Sequence, residues 1–213
     1  MIPKPTFSIE EAYWAKGHHC VGLDEVGRGA FAGPVVVGAV VFAPQAAIID
    51  GVHDSKLLSP QERERLSVLI MQQSLAYAIA TIDVPIINRV GIGKATNQAF
   101  RSVVRRIVVD LAQHNLYALI DGFHIKYLGD IRLQRQQAII KGDRKSISIA
   151  AASIIAKVYR DKLMKDLAMH YPSYKFDVNK GYGTASHRSA ISAFGLSKLH
   201  RTSFSLQKYV TTQ

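Results

Sequence analysis

The chain has 213 residues, 48% hydrophobic and 20% charged, which is the balance of a folded globular protein and excludes a disordered one. Lysine and arginine number 27 against 16 acids, a formal charge of +11 that favours a polyanionic partner such as nucleic acid. One cysteine, Cys20, excludes an internal disulfide and a thiolate zinc site, and the longest apolar run, 30–43, contains Gly33, Pro34 and Gly38 and falls short of the roughly 20 residues that cross a bilayer.

The first residues, MIPKPTFSIEEAYWAKGHH, are broken by prolines and charges and hold no apolar core of signal-peptide length, so a soluble, cytoplasmic protein is expected. CVGLDEV (20–26) and PVVVGAVVF (34–42) are short and valine-rich, as buried strands are, and Gly27, Gly29 and Gly33 mark a turn between them. LSPQERERLSVLI (58–70) opens a helix: Ser59 caps, Pro60 suits the first helical position, Glu62 completes a capping box, and Leu66, Leu69 and Ile70 share a face. YAIATIDV (77–84) reads as a third strand. Over 94–114, Phe100, Val103, Val104, Ile107, Val108 and Leu111 recur at helical spacing with Arg101, Arg105 and Arg106 off that face, which predicts an amphipathic helix.

LYALIDGF (116–123) reads as a buried strand ending at Asp121, and QAIIKGD (137–143) as a short one ending near Asp143. Small and apolar residues dominate 146–170, a helix close-packed along its Ala/Ser face. GYGTASHRSAISAFG (181–195) predicts one more helix, capped by Thr184 and stopped by Gly195. This order of elements indicates an α/β layered core with a helical C-terminal portion, and nothing in the sequence marks a domain boundary.

Asp24, Glu25, Asp121 and Asp143 all fall at predicted strand ends, where α/β sheets expose functional groups. Taken singly, each is more often a turn or cap residue than a ligand. Adjacent strand residues point to opposite faces, so Asp24 and Glu25 converge only if the backbone leaves extended geometry at Gly27. Several carboxylates crowded together must either raise their pKa values or find a cation. Oxygen ligands suit Mg2+ or Mn2+, and a shared site has room for two ions about 4 Å apart. Lys56, Lys141, Arg144, Lys145, Lys157, Lys180 and Arg188 lie in or near these stretches as a candidate positive rim for phosphates.

The stretches GLDEVGRGAFAGPVVVGAVVF, HDSKLLS, LIDG, KGDRKSISIAAASIIAKVYRD, KGYGTASH and HRTSF follow one another in the order and approximate spacing of ribonuclease HII, the type 2 ribonuclease H family, which the chain resembles over 21–204. The resemblance implies a single RNase H-like domain over 1–213, a central mixed sheet flanked by helices, with a helical extension from about residue 171. It implies an endonuclease that hydrolyses the RNA strand of RNA–DNA hybrids and cuts 5′ of single ribonucleotides in duplex DNA, leaving 3′-hydroxyl and 5′-phosphate ends. By motif position Asp24, Glu25, Asp121 and Asp143 are the catalytic, metal-binding carboxylates, with Mg2+ or Mn2+ acting as a pair. Gly27, Arg28 and Gly29 are expected at the ribose 2′-hydroxyl, mostly through backbone groups, Tyr182 against the following deoxyribose, and Lys56 at the substrate. Asp161 belongs to a helix ion pair or cap.

Related type 3 enzymes carry an extra N-terminal domain and GTG in place of GRG, and both features favour type 2 here. Two departures, INRVGIGKATNQAF and an Asn179 where the family commonly has His, are expected to change local contacts only. The tail SLQKYVTTQ holds no convincing sliding-clamp peptide, and a monomer without membrane partners is expected. The rival readings are another RNase H-like nuclease or strand-transfer enzyme, and a basic RNA-binding module without catalysis.

Overall fold

The computed structural model describes residues 4–112 and 115–210. A five-stranded sheet forms its centre, built from β1 (His19–Val26), β2 (Val35–Val41), β3 (Ala76–Ile82), β4 (Leu116–Asp121) and β5 (Gln136–Ile139) in the spatial order β3-β2-β1-β4-β5. β1, β2 and β3 pair antiparallel, whereas β4 and β5 join β1 in parallel, so the sheet is mixed.

Seven α-helices surround it among the described residues: α1 (Ser8–Trp14), α2 (Pro60–Gln73), α3 (Val84–Val90), α4 (Ile92–Leu111), α5 (Ile147–His170), α6 (Phe176–Asn179) and α7 (Ala185–Phe194). On one face of the sheet, Phe100, Val103, Val104 and Ile107 of α4 pack against Val21, Leu23, Val37, Ala39, Ala118 and Ile120. α5 covers the other face, and every residue from 147 to 156 is buried. A helix apolar on all sides needs partners on all sides. The sheet lies on one flank of α5, and Phe7, Leu66 and Ile70 belong to the core on its other side. Glycine lets it come close: a Cβ at Gly22 would lie 2.1 Å from the Ser148 carbonyl carbon, and one at Gly38 would lie 2.4 Å from the Ala152 oxygen. Beyond Ala156, Met164 and Ala168 of α5 pack with Tyr174, Phe176 and Ala190 of the C-terminal helical part.

The capping box of α2 is present, with Ser59 and Glu62 bonded reciprocally, and Thr184 caps α7 through the His187 N–H. Three expectations are corrected. β5 stops at Ile139, because Lys141 turns the chain at φ 55° and puts Asp143 in a 3-10 turn over Gly142–Arg144. The amphipathic helix begins at Ile92, after a separate α3 ended by Gly91 at φ 81°, and closes at Leu111; His114 lies outside the described residues. α1, not anticipated, follows the proline-broken start and buries Glu10.

Candidate active site

β1 and β4 run parallel with Leu23 opposite Ile120, so the residues that follow, Asp24 and Asp121, end side by side at the same edge of the sheet. Strand alternation sets their faces. Leu23 and Ile120 belong to the core under α4, so Asp24 and Asp121 turn toward α5 while Glu25 turns to the α4 side. Asp143 arrives from the turn that leads into α5, and the Gly142 N–H of that turn donates to Asp121 Oδ1 at 2.7 Å. Asp24 Oδ1 accepts the Glu25 N–H at 2.7 Å, and its carboxylate bonds to the Ser153 hydroxyl of α5, which lies 3.0 Å from the Ser55 hydroxyl.

These acids share one electrostatic field. Burial pushes the Asp24 carboxyl well above its usual range, and after a lowering bond from Ser153 the charges of Asp121, Glu25 and Asp143 push it further. Burial raises Glu25 to about 6 against the pull of Arg28, with Asp121 adding to the rise. Asp143 is raised by burial, then by Asp54 and Asp121.

The departure expected at Gly27 is not how the acids meet: β1 stays extended through Val26, Glu25 remains on its own face beside Arg28, and Asp121 is the neighbour common to both. Among the described residues, the side chains as placed form no group of three or more His, Cys, Asp or Glu with metal-holding geometry. Oxygens of Asp24, Glu25 and Asp121 rest on the protein's own donors, the Glu25 N–H, the Arg28 guanidinium and the Gly142 N–H. The chemistry of the set nevertheless fits a hard divalent cation, because it is all oxygen and because the charges acting on buried Asp24 are three other carboxylates.

Beyond β1 the chain turns at Gly27, φ 87°, a conformation that favours glycine. Gly29 differs: a Cβ there would meet no protein atom within 4 Å, so packing gives no reason for glycine. Arg28 lies 3.4 Å from Glu25 Oε1 with its guanidinium 4.9 Å from the centre of the Phe123 ring. Tyr182 stands on the loop before α7 with 36% of its surface exposed. Asn179, the departure from the family pattern, is buried; it donates to the Tyr174 carbonyl and accepts from the Gly181 N–H, and so shapes that loop.

The family model "Ribonuclease HII" matches residues 21–207. The chain belongs to the ribonuclease HII family. Its members are endoribonucleases that hydrolyse RNA in RNA–DNA hybrids. A ribonuclease HII of Caldicellulosiruptor bescii is 42% identical over 199 residues, covering 93% of this chain and 92% of its own. In the PCNA:RNase HII complex from Archaeoglobus fulgidus, the matching chain superposes with a TM-score of 0.69 at 26% identity, over 86% of this chain and 92% of that one. Bst-RNase HIII in complex with Mn2+ gives 0.73 at 26% identity, over 90% of this chain and 68% of that one. The mixed sheet flanked by helices is thus the RNase H-like fold, and no helix among the described residues is long and apolar enough to cross a membrane.

Several members of the candidate basic rim are paired within the protein. Arg144 is spent on Asp54, whose Oδ2 accepts from Nε and Nη2 at 3.0 and 2.9 Å. Lys157 bonds Asp161 at 2.6 Å, which gives Asp161 the helix ion pair expected of it, and Arg63 joins at 3.8 Å. Arg188 donates to the Gly183 carbonyl. Lys56, Lys141 and Lys145 are exposed, and Lys56 exerts its charge on Asp143. Lys157 and Lys180 line a basic cleft of about 430 Å³ with Arg63, Lys162 and Lys165.

Sequence reasoning passed over Asp54 and Ser153. Asp54 is buried; burial alone would raise its carboxyl, but the Lys56 N–H and the Arg144 guanidinium outweigh that and lower it. It ties the 54–57 turn to the turn carrying Asp143. The signal was present in HDSKLLS, where an acid two residues before a lysine matches an Asx-type turn.

Proposed function

We propose that Asp24, Glu25, Asp121 and Asp143 hold divalent cations, Mg2+ or Mn2+, and that the protein cuts the phosphodiester 5′ of a ribonucleotide, leaving 3′-hydroxyl and 5′-phosphate ends. Its substrates on this reading are RNA–DNA hybrids and single ribonucleotides in duplex DNA. The observation that carries the reading is Asp24, buried near the end of β1 beside Asp121, its carboxyl raised by burial and then by three other acids. A protein gains no stability from such a cluster, so a functional demand is the better explanation. The Mn2+ bound by Bst-RNase HIII supports the same assignment.

Cations in this oxygen set supply activation of the attacking water and charge stabilisation at the departing oxygen. The side chains provide position. Asp24 and Asp121 stand on adjacent strands of a rigid sheet, and the turn of Asp143 grips Asp121 through Gly142. At Gly29 the open side of the backbone lets a sugar approach as closely as a 2′-hydroxyl contact requires. Tyr182 offers an exposed ring for the next sugar, and Lys56 places positive charge beside Asp143 for a phosphate. Readout of sugar type leaves base sequence of little consequence.

Cleavage mapping tests this on an end-labelled DNA duplex with one ribonucleotide. Cutting on its 5′ side, with product only when Mg2+ or Mn2+ is added, is the expected result. Cleavage in EDTA, or of an all-DNA control, would overturn it.

A further inference from the structure

Arg160 of α5 is fully buried between the two segments assigned to sugar recognition. Its Nε donates to the Pro34 carbonyl at 3.0 Å, Nη2 to Ala32 at 3.3 Å and Nη1 to Lys180 at 2.9 Å. One planar fork therefore grips the segment after the Gly27 turn and the segment before Tyr182 together. Gly27 lies directly against it, since a Cβ there would fall 2.0 Å from Nε. On its other side the guanidinium carbon lies 5.3 Å from the centre of the Tyr182 ring. Arg201, also fully buried, anchors only the first segment: Nε and Nη2 donate to Gly33 at 2.9 and 2.8 Å, and Nη1 to Arg28 at 2.8 Å.

Burying a guanidinium against neutral carbonyls is a poor route to stability, since well-packed apolar residues of similar volume are often as good or better. What the fork supplies is geometry. We propose that Arg160 is a positioning residue for sugar recognition, fixing the 27–29 turn and Tyr182 in one mutual register so that both sides of an RNA-to-DNA step are read as a unit. This rests on the reading of those segments under Proposed function.

The test is a double-mutant cycle of Arg160→Lys with Tyr182→Ala, on a duplex with one ribonucleotide and on a uniform RNA–DNA hybrid. Arg160→Lys keeps the charge and loses the fork. It is expected to lower kcat/KM on the single ribonucleotide at least tenfold and to slow hybrid cleavage much less, because most hybrid phosphates offer no RNA-to-DNA step. The double variant is expected to fall no further than the worse single one, whereas Arg201→Lys, whose side-chain hydrogen bonds go only to Arg28 and Gly33, should combine with Tyr182→Ala multiplicatively. Arg160→Gln replaces Arg160→Lys in the cycle if the lysine variant does not fold. Equal losses on both substrates, or multiplicative losses in the Arg160 cycle, overturn the proposal and leave the sugar-reading segments standing. A wild-type protein that ignores the single ribonucleotide removes those segments' role and the proposal with it.

Discussion

His187 and His200 leave no room for a proton, and the stability of the C-terminal layer should show it. His187 Nδ1 lies 2.9 Å from the Tyr182 carbonyl and must carry hydrogen to bond it. Its Nε2 is then the acceptor, 3.1 Å from His200 Nε2, which must be the donor. His200 Nδ1 in turn accepts the Ser197 N–H at 2.8 Å. Every ring nitrogen is matched with both rings neutral; a proton added at His187 Nε2 would face the His200 N–H, and one at His200 Nδ1 would displace the Ser197 N–H and find only the Ser197 hydroxyl, 2.9 Å away, to accept it. Burial first, and then the neighbouring ring, pull His200 from 6.5 to about 4, and burial lowers His187 as well. Because the folded pKa is depressed, the unfolded chain takes up protons near pH 6.5 while the folded one does not. Stability is therefore complete above pH 6.5 and falls as the pH drops toward 4. At about 1.4 kcal/mol per unit the His200 shift gives about 3.5 kcal/mol, or a Tm lower by about 7–14 °C in a chain of this size.

Urea denaturation in EDTA at pH 7.5, 6 and 5 measures this effect, with His200→Gln as the non-titrating reference. The raised carboxylates act in the opposite direction, gaining stability as the pH falls, so the difference between the two proteins is the quantity to follow. It should shrink steadily with acid, since the wild type loses an advantage that the variant never had. Parallel losses across the series would refute the assigned tautomers.

Asp24→Asn should inactivate the protein while stabilising it. The amide keeps the Glu25 N–H bond but removes the cost of burying the charge and the repulsion from Asp121, Glu25 and Asp143, so the gain over wild type should grow as pH rises above 3.8, with each kcal/mol visible as about 2–4 °C in Tm. Millimolar Mg2+ or Mn2+ should raise the wild-type Tm and leave that of the Asp24→Asn variant nearly unmoved; an active variant, or equal shifts in both, would count against Asp24 as a ligand. Gly22→Ala drives a methyl to within 2.1 Å of helix backbone, so α5 must retreat, and a loss of about 1–3 kcal/mol or more is expected by urea denaturation. A change below about 0.5 kcal/mol would mean that helix and sheet are not held at this spacing.

The strands were legible because their valine runs and turn residues report burial and reversal directly, and the α2 capping box because its chemistry is local. The end of β5 was not, because Ile139 and Ile140 read as one run while the turn at Lys141 follows from Gly142 N–H gripping Asp121, a partner on another strand. Likewise the four acids could be picked out from their strand-end positions and motifs. How they meet could not, since it depends on the parallel register of β1 with β4, a non-local pairing. The pairing of Arg144 with Asp54, far away in sequence, was hidden for the same reason, whereas that of Lys157 with Asp161, one helical turn on, was legible as a helix ion pair.

Helix α5 connects what these separate observations describe. Ser153 touches the proposed catalytic corner through Asp24, and Arg160 touches the proposed recognition turn and Tyr182. Seven residues of helix separate the two, about 10 Å at 1.5 Å per residue. The same helix is pressed onto the sheet at Gly22 and Gly38, where neither partner can shift without backbone collision. On the proposed reading, a substrate bound along this edge would thus meet the acids and the sugar-reading groups at a separation set by one rigid element. Errors in that spacing would misplace the bond relative to the sugar that identifies it, which is reason enough for the ten-residue buried stretch at the start of α5 to carry no residue larger than isoleucine.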